Sequence, residues 1–280
     1  MIVSSVFSEK NMPPRRWSLS SEVQNTFRVD DRSLMERKES CMINTILFDL
    51  DGTLLRMDQD AYTQKYFSIL GKAMASFHEP EQMIRTVWAG TKAMIQNDGR
   101  RTNEEVFWDA YESIFGKMPS VEKESLERFY AEDFRTLREF VDPNPEVPPL
   151  IDDLKKAGLR MIVATNPLFP IEPQYTRVGW AGLDPADFIC VTSYEYFHHS
   201  KPDIGYYREI VETYDLDPEK CLMVGNDLEE DMIAMDLGMK GFLLTDCLIN
   251  RSGGDIAHLP HGGYADLRQY LTVLGIPGME

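Results

Sequence analysis

INTILFDLDGTL, residues 43–54, is the clearest indication of the fold class of this chain. Its first half is a short apolar run, which is typical of a strand buried on both faces. The run ends at Asp49, and Gly52 shortly afterwards permits a sharp turn out of the strand. Side chains alternate along extended chain, so Asp49 and Asp51 can face one pocket. The stretch therefore predicts a buried strand whose carboxyl end presents two carboxylates.

Further apolar runs of similar length follow, separated by helix-like stretches. The runs are residues 160–165 (RMIVAT), 188–192 (FICVT), 221–225 (CLMVG) and 241–245 (GFLLT). The helix-like stretches include residues 149–157, 204–214 and 229–237, and a glycine follows the first and the last of them. This alternation of strands and helices predicts an α/β fold with a Rossmann-like, doubly wound parallel sheet.

The region from residue 57 to residue 145 interrupts the alternation, because it contains no strand-like run and its apolar side chains recur at helical spacing. The first of three such stripes consists of Tyr62, Tyr66, Leu70, Ala73 and Phe77. Large aromatic residues are mostly buried, so we interpret the stripes as the core of a helical bundle rather than a ligand cage. Thr102 and Glu105 have the spacing of a capping box at a helix start. We predict an all-helical insertion at 57–145, within a Rossmann-like core of residues 42–56 and 146–280.

Residues 1–41 differ from the rest of the chain in composition. They combine PPRR at residues 13–16 with serine clusters and mixed charges, and they lack sustained helical or strand periodicity. Met42 stands directly before the first predicted strand. Two interpretations stay open: residues 1–41 are a disordered native extension, or the start of the chain was assigned too far upstream.

The chain has 280 residues, of which 43% are hydrophobic, enough for one large core or for a core with a small second domain. No stretch approaches the roughly 18 consecutive apolar residues of a membrane span, and the first residues lack the pattern of a signal peptide. We therefore expect a cytoplasmic protein. The four cysteines are scattered without metal-ligand spacing, so neither a disulfide framework nor a zinc site is predicted.

The formal net charge of -17 argues against nucleic acid and anionic membranes as partners. The same charge repels a phosphorylated metabolite. Any anion site in this chain must therefore carry local positive charge from a metal ion, a lysine or oriented backbone N–H groups.

Each of four polar segments follows one of the predicted strands. Ligands of open α/β sheets bind beyond the carboxyl ends of the strands, where these segments lie. The segments are residues 49–53 (DLDGT), 165–167 (TNP), 200–203 (SKPD) and 225–231 (GNDLEED). Each has a simpler explanation alone: the first as a turn, Asp227 with Glu230 as a helix cap, and Lys201 as an exposed lysine. Their chemistry becomes informative in combination.

In this order, the four segments resemble the four motifs of the haloacid dehalogenase-like superfamily. The helical insertion after the first motif is similar to the C1-type cap of that superfamily, and in particular of its phosphoglycolate phosphatase-like group. The resemblance covers about residues 42–245 and includes every motif in order. It implies a phosphohydrolase, but it does not specify the substrate.

The resemblance implies a role for each carboxylate of these motifs. Asp49, which also stands at a strand end, would be the nucleophile that forms an aspartyl phosphate. Asp51 would protonate the leaving oxygen and then deprotonate the attacking water. Asp49, the backbone carbonyl of Asp51 and Asp227 would ligate Mg2+. Asp231 would hold a metal-bound water or orient a ligand of the metal.

The same resemblance implies roles for the lysine and for the hydrogen-bonding side chains of the motifs. Lys201 would supply a fixed cation to the transferring phosphoryl group. Thr53, Thr165 and Asn166 would donate hydrogen bonds to the phosphoryl oxygens, with Thr165 among the catalytic residues.

The aspartate at position 51 also narrows the chemistry that the resemblance implies. It fits phosphatases and phosphomutases and argues against dehalogenases, which need no such acid. Phosphonatases of the superfamily need a lysine in the cap, where Lys72 and Lys92 lie. We interpret both lysines as solvated, because lysine is ordinarily exposed.

Arg100 and Arg101 lie in a predicted turn between two helices of the cap. A pair of arginines in a cap loop can recognise a second anionic group of a substrate. The alternative is a simple exposed basic loop, and both interpretations stay open.

The sequence thus predicts a Mg2+-dependent phosphatase that hydrolyses a small phosphorylated metabolite, such as a sugar phosphate, a phosphoglycolate-like acid or a nucleotide monophosphate. The alternatives are a phosphomutase with the same nucleophile and a catalytically idle binding protein. An idle protein is disfavoured because all the expected catalytic positions are filled.

Overall fold

The computed structural model describes residues 42–279. Its strands are β1 (Thr45–Phe48), β2 (Leu55–Met57), β3 (Val141–Pro143), β4 (Arg160–Val163), β5 (Cys190–Val191), β6 (Cys221–Gly225), β7 (Lys240–Leu244) and β8 (His261–Gly262). Its α-helices are α1 (Gln59–Ala73), α2 (Pro80–Ile95), α3 (Asn103–Phe115), α4 (Ser120–Ala131), α5 (Val147–Lys156), α6 (Ile171–Trp180), α7 (Ile204–Thr213) and α8 (Tyr264–Val273). Short 3-10 helices lie at Asp133–Phe140, Pro185–Asp187, Pro218–Lys220 and Met232–Leu237. The prediction made for residues 1–41 falls outside the described residues.

Six strands form one parallel sheet in the order β5-β4-β1-β6-β7-β8. The strand β1 pairs with β4 on one side and with β6 on the other, and Phe48 is level with Val163 and Val224. All four side chains of β1 are buried. The sheet and the helices around it confirm the predicted Rossmann-like, doubly wound fold.

The side chains of β1 alternate between two apolar cores. Ile46 and Phe48 lie in the larger core, together with side chains of α5, α6 and α8. Leu47 lies in the smaller core, together with side chains of α7 and of the 3-10 helix Met232–Leu237. Because each face of the sheet buries its own core, residues 46–48 must all be apolar, and they read as a continuous run in the sequence.

The segment between β2 and β3 contains the helices α1 to α4 and the 3-10 helix Asp133–Phe140. The strands β2 and β3 pair with each other as a small antiparallel sheet, with Met57 opposite Val141. The prediction that residues 57–145 contain no strand was wrong for β3. A strand of this length is too short to show a period-two pattern in the sequence.

The aromatic side chains of this insertion pack against one another. Ring centroids are 5.8 Å apart for Tyr66 and Phe129 and 6.5 Å apart for Phe129 and Phe134. Tyr111, Phe129 and Phe134 are buried within the larger apolar core. The interpretation as bundle core is confirmed for Tyr111, Phe129 and Phe134, whereas Ile114, in the stripe of Tyr111, is exposed.

The helix α3 begins with the predicted capping box and is anchored at the same point on the core. The N–H of Glu105 donates to the hydroxyl of Thr102 (3.2 Å), and the N–H of Thr102 donates to the carboxylate of Glu105 (3.1 Å). The N–H of Asn103, the next residue, donates to the carbonyl of Phe197 (2.8 Å) in a core loop. The start of α3 therefore joins the insertion to the catalytic core.

None of the helices within residues 42–279 has both the length and the apolar character that crossing a bilayer requires.

The predicted helix at residues 229–237 is shorter in the structure. Only Met232–Leu237 is helical, as a 3-10 helix. The carboxylate of Asp227 accepts the N–H groups of Glu229 (3.0 Å) and Glu230 (2.9 Å), so the chain first turns around this carboxylate and the helix begins later.

Candidate active site

The residues that follow β1, β4 and β6 meet at one edge of the sheet. The N–H of Asp49 donates to the carbonyl of Val224 (2.9 Å), and the N–H of Ala164 donates to the carbonyl of Phe48 (2.7 Å). Asp49 therefore lies between the ends of the two neighbouring strands. Because all three strands are parallel, the polar residues after them converge beside Asp49.

Lys201 is a buried cation within this site. Its side chain is 1% exposed, and Nζ donates to Oδ1 of Asp49 (2.9 Å) and to Oδ1 of Asp231 (2.6 Å). Burial disfavours the charged ammonium, but Asp231 and Asp49 outweigh burial and raise the pKa of Lys201 well above its ordinary value. A fixed positive charge thus lies beside the carboxylate of Asp49.

The carboxyl groups near Lys201 are difficult to ionise. Burial raises the pKa of Asp49, while Lys201 opposes this shift and Asp51 reinforces it. Burial likewise raises the pKa of Asp231 to about 6 and the pKa of Asp227 above its ordinary value. Lys201 does not fully offset the desolvation of Asp49 and Asp231, so a further cation would favour their ionised forms.

Asp227 and Asp231 are held by the surrounding backbone. Oδ1 of Asp227 accepts N–H groups of the turn that follows this residue. Oδ2 of Asp227 pairs with Arg251 (2.6 Å). Oδ2 of Asp231 accepts the N–H of Asp227 (2.9 Å). No sequence motif marks Arg251, because it lies in the loop after β7 and outside the four segments.

Asp51 is paired with Arg177 of α6. One terminal nitrogen of Arg177 donates to Oδ2 of Asp51, and the other donates to Oε1 of Gln174. The side chain of Arg177 is 2% exposed. We did not predict Arg177 as a site residue, because it lies inside a helix and has no strand-end motif around it.

Thr53 and Asn226 join the first motif to the fourth. The hydroxyl of Thr53 donates to Oδ1 of Asn226 (3.0 Å), whose Nδ2 donates to the carbonyl of Cys247 (2.8 Å). The hydroxyl of Thr53 is therefore engaged with a neighbouring motif in this structure. Asn226 lies in the GNDLEED segment, but its linking role was not predicted.

Thr165 and Asn166 follow β4 and contact the Lys201 loop and the core. Oδ1 of Asn166 accepts the N–H of Lys201 (3.3 Å), and Nδ2 of Asn166 donates to the carbonyl of Lys201 (3.4 Å). Thr165 is buried, and its carbonyl accepts the hydroxyls of Thr192 (2.6 Å) and Tyr206 (2.8 Å). The second motif therefore helps to hold Lys201 in place.

Arg100 and Arg101 form ion pairs with acidic residues of the insertion itself. Arg100 pairs with Asp98, and its side chain is 85% exposed. Arg101 pairs with Asp109 and lies 3.7 Å from Glu105. These contacts agree with the alternative of an exposed basic loop, and the structure does not bring either arginine to Asp49.

Within residues 42–279, no group of three or more Asp, Glu, His or Cys side chains is arranged to hold a metal ion. Protein cations contact two of the predicted ligands: Lys201 contacts Asp49, and Arg251 contacts Asp227. A dication at these carboxylates would have to replace part of these contacts. The Mg2+ ligands implied by the motifs therefore stay a prediction.

A sequence model of the haloacid dehalogenase-like hydrolase family matches residues 43–236, which include all four motifs. N-acetylmuramic acid 6-phosphate phosphatase of Pseudomonas aeruginosa is 30% identical over 206 residues, which cover 71% of this chain and 80% of that protein. Phosphoglycolate phosphatase of Aquifex aeolicus is 23% identical over 193 residues, which cover 69% of this chain and 79% of that protein.

Solved structures show the same fold. The crystal structure of a HAD phosphatase from Thermococcus onnurineus is similar with a TM-score of 0.50 and 19% sequence identity, and the match covers 84% of this chain and 99% of that chain. At this identity the similarity concerns the fold alone.

Proposed function

The chain belongs to the haloacid dehalogenase-like hydrolase family, and on that premise we propose that it is a Mg2+-dependent phosphatase acting on a small phosphorylated metabolite through an aspartyl phosphate at Asp49. The observation that carries the proposal is the buried contact between Lys201 and Asp49 at the strand ends (2.9 Å). A carboxylate nucleophile and a fixed cation lie side by side there. This pairing suits the transfer of an anionic phosphoryl group.

The chemistry of the acidic residues fits Mg2+. Asp49, Asp227 and the backbone carbonyl of Asp51 offer the oxygen ligands that this ion prefers. Burial raises the pKa of both carboxyl groups, so a dication would stabilise their ionised forms. Asp231, which accepts the N–H of Asp227 (2.9 Å), would orient that ligand. When bound, Mg2+ would help to neutralise the charge of the transferring phosphoryl group.

In the first step of the proposed reaction, Asp49 is phosphorylated. A carboxylate oxygen of Asp49 forms a bond to phosphorus while the bond between phosphorus and the ester oxygen breaks. Asp51 donates its proton to that ester oxygen, which leaves as an alcohol. The ammonium of Lys201 is already beside Asp49, so it stabilises the phosphoryl oxygens without a rearrangement.

In the second step, water hydrolyses the aspartyl phosphate. Asp51, now ionised, takes a proton from the water as its oxygen attacks phosphorus. The bond between phosphorus and Asp49 breaks, and inorganic phosphate is released. Asp49 is again a carboxylate and Asp51 is again protonated, so the cycle closes.

The remaining motif residues have supporting roles in this proposal. Thr165 and Asn166 are proposed to donate hydrogen bonds to the phosphoryl oxygens, and the contacts of Asn166 with the backbone of Lys201 (3.3 Å and 3.4 Å) support a second role in orienting the lysine loop. Thr53 is proposed to donate to the phosphoryl group as well, for which its hydroxyl must exchange its bond to Asn226 (3.0 Å).

The named relatives indicate the class of substrate. One relative is named for N-acetylmuramic acid 6-phosphate and another for phosphoglycolate, both of which are small phosphorylated compounds. We propose a substrate of this class, covered during the reaction by residues 57–145 as a cap that excludes water from the first step. The ion pairs of Arg100 and Arg101 within the insertion favour the interpretation of an exposed basic loop, so we propose no contact of either arginine with the substrate.

The proposal is tested by measuring phosphate release from a panel of phosphorylated metabolites, with and without Mg2+. Turnover should require Mg2+, and Asp49→Asn should lose on the order of 10⁴-fold in kcat because the nucleophile is gone. Asp236→Asn is the matched control, because Asp236 is exposed on the 3-10 helix Met232–Leu237. It should keep wild-type turnover.

Two results contradict the proposal. Retention of more than a tenth of the wild-type activity by Asp49→Asn would exclude the covalent route. Full turnover after exhaustive chelation of divalent cations would exclude the metal.

A further inference from the structure

Arg177 is one of the largest fully buried side chains of the described residues. One end of its guanidinium donates to Oδ2 of Asp51, and the other end donates to Oε1 of Gln174. The guanidinium carbon lies 4.9 Å from the ring centre of Phe169. Two hydrogen bonds and one aromatic face therefore fix the plane of the guanidinium.

The residues that support Arg177 are themselves well fixed. Gln174 lies one turn earlier in α6 and is fully buried. Phe169 precedes α6 and packs edge-on against Tyr66 of α1, with 5.5 Å between ring centroids. The guanidinium is thus held by a helix of the core and by an aromatic ring that packs on the first helix of the insertion.

The two oxygens of Asp51 differ in their surroundings. Oδ2 accepts from Arg177, whereas Oδ1 is buried and has no hydrogen-bond partner among residues 42–279. The hydroxyl of Tyr62 in α1 is also buried without a partner among those residues. Burial raises the pKa of Tyr62, Arg177 lowers it and Asp51 raises it, so this phenol lies within electrostatic reach of the pair. One oxygen of Asp51 is therefore held, and the other is uncommitted.

We infer that Arg177 is a positioning residue for the acid–base step: by holding Oδ2, it fixes the orientation of the Asp51 carboxyl group relative to the ester oxygen of the substrate. The inference rests on the proposed function, in which Asp51 gives its proton to that oxygen as the bond to phosphorus breaks. Arg177 transfers no proton, and its terminal nitrogens are already occupied by Asp51 and Gln174.

Orientation matters here because the side chain of Asp51 has room to move. It is 25% exposed, and without a partner it can adopt several rotamers. A well-placed general acid contributes about 10²- to 10⁴-fold to the rate, and a misdirected one loses part of this factor. Lysine at position 177 keeps the charge but cannot reproduce the fork that contacts Asp51 and Gln174 together.

Two aryl phosphates of similar size separate acid catalysis from a general loss of structure. p-Nitrophenyl phosphate releases a stabilised anion that needs little protonation, whereas phenyl phosphate releases a more basic oxygen that needs the acid. The value of kcat/KM reports the phosphorylation of Asp49, the step in which the leaving group departs. We expect Arg177→Gln to lower kcat/KM for phenyl phosphate about tenfold more than for p-nitrophenyl phosphate. Arg177→Lys should show a smaller selective loss of kcat/KM for phenyl phosphate. This variant is compared with the wild type if Arg177→Gln does not fold.

Three reference variants complete the experiment. Asp51→Asn gives the ratio of the two kcat/KM values in the absence of the acid. Adding Arg177→Gln to this variant should not change the ratio further. Arg160→Gln is the matched control. Arg160 is a half-buried arginine at the opposite end of β4, where it donates to the carbonyl of Tyr214 (2.7 Å), and its loss should leave the ratio unchanged.

The outcomes separate the inference from the proposed function. Equal losses for both substrates in the Arg177 variants, or a further change of the ratio in the Asp51→Asn background, would overturn the inference alone. If Asp51→Asn shows no dependence on the leaving group, the acid role of Asp51 and the inference are both overturned. A selective loss for phenyl phosphate that depends on Asp51 supports the positioning role.

Discussion

At the residue scale, Gly52 and Gly225 lack a side chain at points where polar groups of the candidate active site pack against the backbone. A Cβ atom on Gly225 would collide with the carboxylate of Asp231, and one on Gly52 would collide with the side-chain amide of Asn226. Gly52 also has a φ of +90°, which residues with a side chain rarely adopt. Glycine is therefore required at position 52 for two independent reasons.

The first prediction uses this double requirement. Gly52→Ala should lower the free energy of unfolding by at least about 2 kcal/mol, because backbone strain and overpacking each cost about 1–3 kcal/mol. It should also lower kcat, since the displaced amide of Asn226 bonds the hydroxyl of Thr53 (3.0 Å). Chemical denaturation and phosphate-release assays measure the two effects.

Gly158→Ala is the matched control for this prediction. Gly158 has a φ of +77°, but nothing lies within 4 Å of a Cβ atom placed there. This variant should therefore show the backbone strain without the collision and keep wild-type kcat. Equal effects of the two substitutions on both stability and kcat would contradict the argument.

At the element scale, the start of α3 bonds the insertion to two loops of the core. Asn103 is fully buried, and its Nδ2 donates to the carbonyls of Pro167 (3.3 Å) and His199 (3.2 Å) and to Oγ of Ser200 (3.1 Å). Pro167 belongs to the second motif and Ser200 to the third, and His199 directly precedes the third. One side-chain amide thus connects a helix of the insertion to both motif loops.

The second prediction removes this connection. Asn103→Ala should lower the free energy of unfolding by about 1–3 kcal/mol, because buried acceptors lose their donor. It should also lower kcat, because Ser200 precedes Lys201 in the same loop. Thermal unfolding and steady-state kinetics test both parts.

Ser113→Ala in the same helix serves as the control. Its hydroxyl is exposed and donates to the carbonyl of Ala110 (2.7 Å) within the same helix, so its loss should change stability by less than about 0.5 kcal/mol. Wild-type stability and kcat in Asn103→Ala would show that the anchor of α3 does not matter.

At the scale of the whole molecule, the net charge of -17 and the clustered carboxyl groups favour binding of a dication by the folded chain. The third prediction is that Mg2+ raises the melting temperature. Ligand that binds only the folded state stabilises it by about 2.7 kcal/mol at 100 times its Kd. Asp227→Asn should reduce this shift, and Asp236→Asn should not.

The control for this prediction is NaCl at the same ionic strength. Screening of surface charge acts with either salt, whereas a specific site responds to Mg2+. An equal rise of the melting temperature in both salts would argue against a Mg2+ site at Asp227.

The fourth prediction distinguishes a hydrolase from a phosphomutase. A mutase must keep water away from the aspartyl phosphate and grip both ends of its substrate. The arginines that would grip the second end, Arg100 and Arg101, are engaged with acidic residues of the insertion. We therefore expect water to attack, so that label from isotopic water appears in the released phosphate in proportion to substrate loss.

A phosphomutase would give a different result in this experiment. If the substrate is isomerised with little release of phosphate, and a bisphosphate is needed to start turnover, the mutase assignment replaces the hydrolase.

The strands were predictable from the sequence to different degrees. The bounds of β6 agree with the predicted run, because this strand is paired on both sides by β1 and β7. The strand β5 is reduced to Cys190–Val191 from a predicted run at 188–192, since it lies at the edge of the sheet and pairs only with β4. Local hydrophobic pattern thus identifies a strand, and its neighbours decide how long it is.

The fold class and the segments that meet beside Asp49 were predictable without the structure, because both follow from local periodicity and from the parallel order of strands. Tertiary structure alone decided which charges meet. Arg177 follows Asp51 by 126 residues, and Arg251 reaches Asp227 from another loop. No local pattern marks either arginine, because ion pairs of this kind depend on how α6 and the loop after β7 dock on the sheet.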